Sequence, residues 1–157
     1  MGVEIERKFL LRGDGWRNEG TAVLLRQGYL SSQRERVVRV RIEGAQAMLT
    51  IKGRSVGASR GEWEYPIPLA DAEELLDGLC EQPLVEKYRR RIDFAGMVWE
   101  VDEFLGVNAG LVVAEIELTA EDQPFAKPDW VGAEVTDDVR YFNANLIKHP
   151  FSQWTKD

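Results

Sequence analysis

The chain is poor in the residues that most often carry catalysis or staple a fold. It has a single cysteine, Cys80, and a single histidine, His149. One cysteine cannot close an intramolecular disulfide or build a thiolate zinc cluster, so Cys80 reads as a small buried hydrophobe on a helix. His149 precedes Pro150 with no acid–histidine–nucleophile constellation in sight, which excludes a triad hydrolase and leaves it a surface residue. No stretch is apolar enough to span a bilayer, and the acidic N-terminus has no signal-peptide pattern. These absences predict a reducing, cytoplasmic setting with no membrane partner. Positive charge is also in deficit: 27 acidic against 20 basic residues give a net charge of -7. That balance argues against a nucleic-acid partner, because counterion release needs a basic surface. The run Gly53 to Gly57 lacks a following Gly-Lys-Ser/Thr, so it is a hairpin turn and not a phosphate loop.

What the chain has in abundance is alternation. Residues 3–11 put Glu4, Glu6 and Lys8 on one face and Val3, Ile5, Arg7 and Phe9 on the other. Period-two patterns recur at 22–32, 35–44, 47–54, 61–69, 84–94, 97–104 and 111–120, and each predicts a strand. Helices are predicted only at 70–80, after Pro68, and at 136–148, where Thr136 would be the N-cap and Val139, Phe142 and Leu146 the apolar stripe. Residues 13–21 form a loop or short turn, and Pro124 and Pro128 break the passage to the last helix. With no repeat or linker, residues 1–157 are expected to form one mainly β (α+β) domain. About eight antiparallel strands favour a closed β-barrel with a few flanking helices.

Ordinarily such a sheet turns its apolar face inward and its charges to water. Two features oppose that arrangement here. The polar face is built almost wholly of full charges, and their signs are segregated by strand. Acids occupy the first, fifth, seventh and eighth strands, and bases the third, fourth and sixth. Turned inward, these faces would make a cationic wall and a carboxylate wall, too costly to desolvate without water, metal or a polyanion between them. Arg and Lys clamp phosphoryl oxygens, and carboxylates hold a hard cation that bridges them.

Glu4-Ile5-Glu6-Arg7-Lys8 resembles the Glu-x-Glu-x-Lys signature of CYTH domains, the triphosphate tunnel metalloenzymes. The resemblance continues in order through Arg39-Val40-Arg41, Lys52, Glu62-Trp63-Glu64, Lys87-Tyr88-Arg89, Glu100-Val101-Asp102 and Glu115-Ile116-Glu117. Glu134-Val135-Thr136 and Tyr141-Phe142-Asn143 resemble the C-terminal segment of short bacterial members. It implies an eight-stranded tunnel with the charges inside and the helices and tail covering the outside. It also implies hydrolysis of a triphosphate, by preference inorganic tripolyphosphate, using Mg²⁺ or Mn²⁺ and water without a covalent intermediate. Thiamine triphosphatase and class IV adenylate cyclase share the fold and remain alternatives, as does a non-catalytic polyphosphate-binding module. The oligomeric state stays open.

By the same resemblance, Glu4 and Glu6 bind the metal, and Glu115 and Glu117 complete its site and orient the attacking water. Asp102 would hold a second cation or water. Lys8, Arg39, Arg41, Lys52, Lys87 and Arg89 contact the phosphates, with Arg54 and Arg91 at the mouths. Glu62 and Glu64 orient the bases, unless Glu62 joins the metal network. Tyr29 either joins Lys8 in catalysis or is a core tyrosine. The tryptophans cover the barrel, with Trp154 as an alternative cover for a tunnel mouth.

Overall fold

The computed structural model describes residues 2–154. The first strands are β1 (Gly2–Leu11), β2 (Val23–Gln33), β3 (Arg36–Glu43), β4 (Gln46–Lys52) and β5 (Ser59–Pro66). Helix α1 (Leu69–Gly78) leads to β6 (Val85–Phe94), β7 (Met97–Phe104), β8 (Val112–Glu117) and β9 (Val131–Glu134). Every pairing is antiparallel, and the order runs β5-β4-β3-β2-β6-β7-β8-β1-β9. β5 pairs back onto β1, from Gly2 opposite Glu62 to Ile5 opposite Ser59. That contact closes eight strands into a barrel and leaves β9 as an extra strand on β1.

Local chemistry sets the hairpins and the helix contact. The β6–β7 turn places Ala95 and Gly96 at φ 50° and 81°, the left-handed pair that matches the twist of a two-residue hairpin. Gly28 lies under α1, where an added Cβ would come within 2.7 Å of Leu84 and 2.9 Å of Cys80. The helix therefore seats directly on the sheet, packing Ala72 and Leu76 against Val40 and Ala47, and Cys80 joins them from just beyond the helix end, not from within the helix as expected. On the other side Trp16, Trp99 and Trp130 gather with Phe9, Ile92, Val101, Ile116 and Leu118. Val40 and Ile116 are thus buried beneath outer cover, and the tunnel reading of the alternation holds.

The structure differs from the sequence reading in three places. The segment expected as a helix over 136–148 is a 3-10 turn (Val139–Tyr141) followed by the single helical turn α2 (Asn143–Leu146). Thr136 does not cap it; its hydroxyl accepts from the Lys8 backbone and donates to Glu134. Asn143 and Asn145 interrupt the helical pattern and prefer local hydrogen bonds, as Asn145 shows by donating to the Val139 carbonyl. The second difference is β9, four residues between Pro128 and Thr136 that carry too little alternation to stand out. Third, the inward face is not charged throughout. Tyr29, Val85, Phe104, Leu111 and Val113 form an apolar stretch, and the C-terminal segment packs on it through Tyr141, Leu146 and Ile147. Trp154 belongs to that packing, with its ring 5.0 Å from Tyr141 and its indole N–H on the His149 carbonyl. Cys80 is buried and His149 exposed. Among the described residues no helix is long and apolar enough to cross a membrane.

Candidate active site

The barrel encloses a cavity of about 230 Å³, and the predicted residues line it: Glu4, Glu6, Lys8, Tyr29, Arg39, Arg41, Lys52, Lys87, Arg89, Glu115 and Glu117. Period two brings them there, since side chains two apart on one strand leave the same face. Arg91 lines it too, half-exposed and paired with Glu43 and Glu100. Arg54 lies outside the lining, exposed, 4.0 Å from Glu35.

The β1–β8 side is acidic and strained by like charge. Glu6 lies directly opposite Glu117, and Glu115 directly opposite Glu100, arrangements that destabilise a sheet. Burial, with the Glu115 and Glu4 carboxylates beside it, pushes the Glu6 carboxyl well above the usual range. Burial also raises Glu115, but the Lys8 ammonium, Glu6 and Arg89 together outweigh it and the carboxyl ends well below its ordinary value. The Glu6 and Glu115 carboxyls influence one another directly, so they titrate as a pair. Glu117, raised by burial and by Glu4 and Glu100, has no ion pair among the described residues. Glu4 differs: burial raises it, Lys52 at 3.0 Å more than compensates, and its pKa falls.

The basic side is better matched, with exceptions that matter. Lys52 also stands 3.5 Å from Glu62, and Arg39 stands 3.7 Å from Glu64, as expected of acids that orient bases. The Arg39 Nε is buried without a partner. Arg41 forms no ion pair among the described residues, and burial together with Arg39 and Arg89 pushes its pKa down to about 10. Lys8 donates to the Tyr141 carbonyl at 3.0 Å and lies 3.7 Å from Glu115. Burial alone would lower its pKa, but Glu115, Glu6 and Asp102 raise it.

Asp102 is where the geometry departs furthest from the expected ligand set. It is absent from the cavity lining and fully buried. Both its oxygens are taken, by Arg89 at 2.8 and 2.9 Å and by Lys87 at 2.8 Å. Burial raises its pKa, yet the two cations hold it far below the usual carboxylate range. Its position fits a support for two bases better than a second cation site.

Sequence reasoning missed three residues here. Arg60 lines the cavity directly opposite Glu4, although its strand partner register was not visible from the alternation of 61–69. Asn143 lines it from α2, and Gln27 lies fully buried beside Tyr29. Gln27 shares a face with Tyr29 two residues on, and that spacing was the available signal.

The carboxylate side fits a hard divalent cation. Its donors are all oxygens, and the raised carboxyls of Glu6 and Glu117, neither in an ion pair among the described residues, mark a surplus of negative charge that such a cation would relieve. Among the described residues no three acidic or imidazole groups already converge as a complete ligand set.

The CYTH domain profile matches residues 2–151. An inorganic triphosphatase of Acetivibrio thermocellus is 51% identical over 154 residues, covering 98% of this chain and 99% of that one. An inorganic triphosphatase of Nitrosomonas europaea is 40% identical over 150 residues, covering 92% of this chain and 96% of that one. A solved structure of an inorganic triphosphatase superposes with a TM-score of 0.63 at 37% identity, covering 91% of this chain and 96% of that chain. The chain belongs to the CYTH domain family.

Proposed function

We propose that this protein hydrolyses inorganic triphosphate to diphosphate and phosphate with a divalent cation, Mg²⁺ or Mn²⁺. The observation that carries the reading is unmet charge and hydrogen bonding on both sides of one cavity: Arg41 and the orphaned Arg39 Nε–H on one side, Glu6 and Glu117 on the other. A polyanion answers the first and a cation the second. Triphosphatases of this family depend on a metal, and Glu4, Glu6, Glu115 and Glu117 would hold it. When bound, such a cation polarises phosphoryl oxygens and makes water more acidic.

The chain's own groups do the rest. Arg39, Arg41, Lys52, Lys87 and Arg89 hold the phosphate chain and neutralise charge on the departing diphosphate. Glu117, its carboxyl raised by burial and by Glu4 and Glu100, orients the water and accepts its proton as the new phosphorus–oxygen bond forms. The anhydride bond breaks on the opposite side, where Lys8 supplies positive charge and Tyr29 donates a hydrogen bond to the leaving oxygen. Asp102 positions Lys87 and Arg89 from beneath.

The lining among the described residues is dominated by charged side chains, so binding energy comes from phosphates and an organic tail adds little. Tripolyphosphate is expected to show a higher kcat/KM than ATP or thiamine triphosphate, with diphosphate a poor substrate and excess chelator abolishing turnover. Phosphate release measured with equal concentrations of each substrate checks this. A preference for ATP with cyclic product, or full activity in chelator, would overturn it.

A further inference from the structure

Beneath the cavity runs a chain of amides that phosphate binding does not account for. The Asn143 Oδ1, on α2, accepts from the Lys87 ammonium at 2.8 Å. The Gln27 Nε2, on β2, donates to the Tyr29 hydroxyl oxygen at 2.9 Å and to the same Asn143 oxygen at 3.4 Å. Gln27 is fully buried, and its carbonyl Oε1 has no partner.

The polarity of this chain is set from one end. An ammonium has hydrogens only to give, so the Asn143 atom beside Lys87 must be oxygen. The Gln27 atom facing that oxygen must then be nitrogen, because two carbonyl oxygens repel. Turning the Gln27 amide over would pair its orphan oxygen with Tyr29 only by setting that oxygen against Asn143. An unpartnered buried carbonyl is costly, and here it is the price of committing both amide hydrogens. The Tyr29 oxygen is thereby made an acceptor, and its own hydrogen has no protein acceptor among the described residues. Since Tyr29 lines the cavity, that hydrogen is left for a ligand.

We propose that Asn143 and Gln27 are positioning residues that hold the Tyr29 hydroxyl as a hydrogen-bond donor into the cavity, aimed at a phosphoryl oxygen. The proposal rests on the triphosphatase reading above. A donor set in advance stabilises charge on the leaving oxygen without reorienting during the reaction. The order is carried from Asp102, which fixes Lys87, through both amides to Tyr29. The C-terminal segment therefore contributes to chemistry through Asn143 as well as to packing.

Gln27→Met keeps bulk and burial but removes both hydrogens. It is expected to lower kcat for tripolyphosphate roughly tenfold or more, with KM within about twofold. In a Tyr29→Phe background the same change should alter kcat by less than about twofold. An equal loss in both backgrounds, or wild-type kcat in Gln27→Met, overturns the proposal. Asn143→Leu should lose kcat similarly, and Asn143→Asp, which restores an oxygen between Lys87 and Gln27, should recover most of that loss; equal loss in both also overturns it. Thermal melts identify any variant that fails to fold, and the Asn143 pair carries the test if Gln27→Met does. A substrate-free reading separates this proposal from the function it serves. Both Gln27 side-chain amide protons should be shifted downfield by ¹⁵N-resolved NMR, one moving upfield in Tyr29→Phe and the other in Asn143→Leu. If neither moves, the relay is wrong. If both move and the wild type hydrolyses no triphosphate, the hydrogen-bond order stands and the triphosphatase reading falls.

Discussion

Two sets of carboxylates face the same barrel interior from neighbouring strands and are treated oppositely. Asp102 on β7 is sealed from water and gripped by Lys87 and Arg89, which hold it ionised. Glu6 on β1 and Glu117 on β8 face each other across a strand pair, and burial with neighbouring acids pushes both carboxyls up. The first set has its counter-charges built into the fold. The second lacks them, so the folded chain carries a repulsion that a bound cation would remove.

The comparison can be broken most sharply at the acidic pair. Glu117→Gln and Glu6→Gln should each reduce tripolyphosphate turnover by about 10²–10⁴-fold. Glu6→Gln should nevertheless raise the metal-free melting temperature, because it removes a repelled charge. Retained turnover, or a lower melting temperature in Glu6→Gln, would put the repulsion elsewhere. Asp102→Asn should do the reverse. It leaves Lys87 and Arg89 buried with less than their counter-charge, a loss of about 3–5 kcal/mol in unfolding free energy. Denaturant titration measures it, and an unchanged midpoint would deny Asp102 its structural part.

The smallest effect is in pH. Glu6, Glu62 and Glu117 have folded pKa values above the ordinary 4.5. Their contribution to stability is therefore full below that value and is lost as pH rises through the folded values. Asp102 is depressed from 3.8, so its contribution is present above 3.8 and lost as pH falls through the folded value. In chelator, melting temperature should rise on acidification toward the ordinary 4.5, then fall in stronger acid. Saturating Mg²⁺ should flatten the first limb and leave the second. A first limb that survives in Mg²⁺ would mean the cation does not sit among these carboxylates.

The barrel and its lining were legible because alternation and sign segregation both follow from the strand period. Glu4, Lys8, Arg41, Lys87 and Glu117 converge because each keeps phase with its own strand. Register went unused. The strands expected at 84–94 and 97–104 leave a two-residue turn, which sets Arg89 opposite Asp102 and gives Asp102 two basic partners, Arg89 and Lys87. The tail was misread because Val139, Phe142 and Leu146 have helical spacing, yet Val139 is exposed and Leu146 alone of the three joins the apolar packing inside the barrel. Uncharged amides such as Gln27 were missed for a related reason. Their importance lies in hydrogen-bond direction, which a pattern of charge and hydropathy does not encode.

The placement of Asn143 bears on how the molecule comes into being. β1 pairs with β5, β8 and β9, so the barrel closes through contacts separated by more than fifty to over a hundred positions along the chain. Asn143 then reaches Gln27 and Lys87 from beyond the last strand. Contacts so distant in sequence form slowly. A nascent chain can hold most of its hairpins while the phosphate cavity still lacks its final amide. Because Asn143 follows β9 in the chain, its contacts with Gln27 and Lys87 can form only after all nine strands have been synthesised.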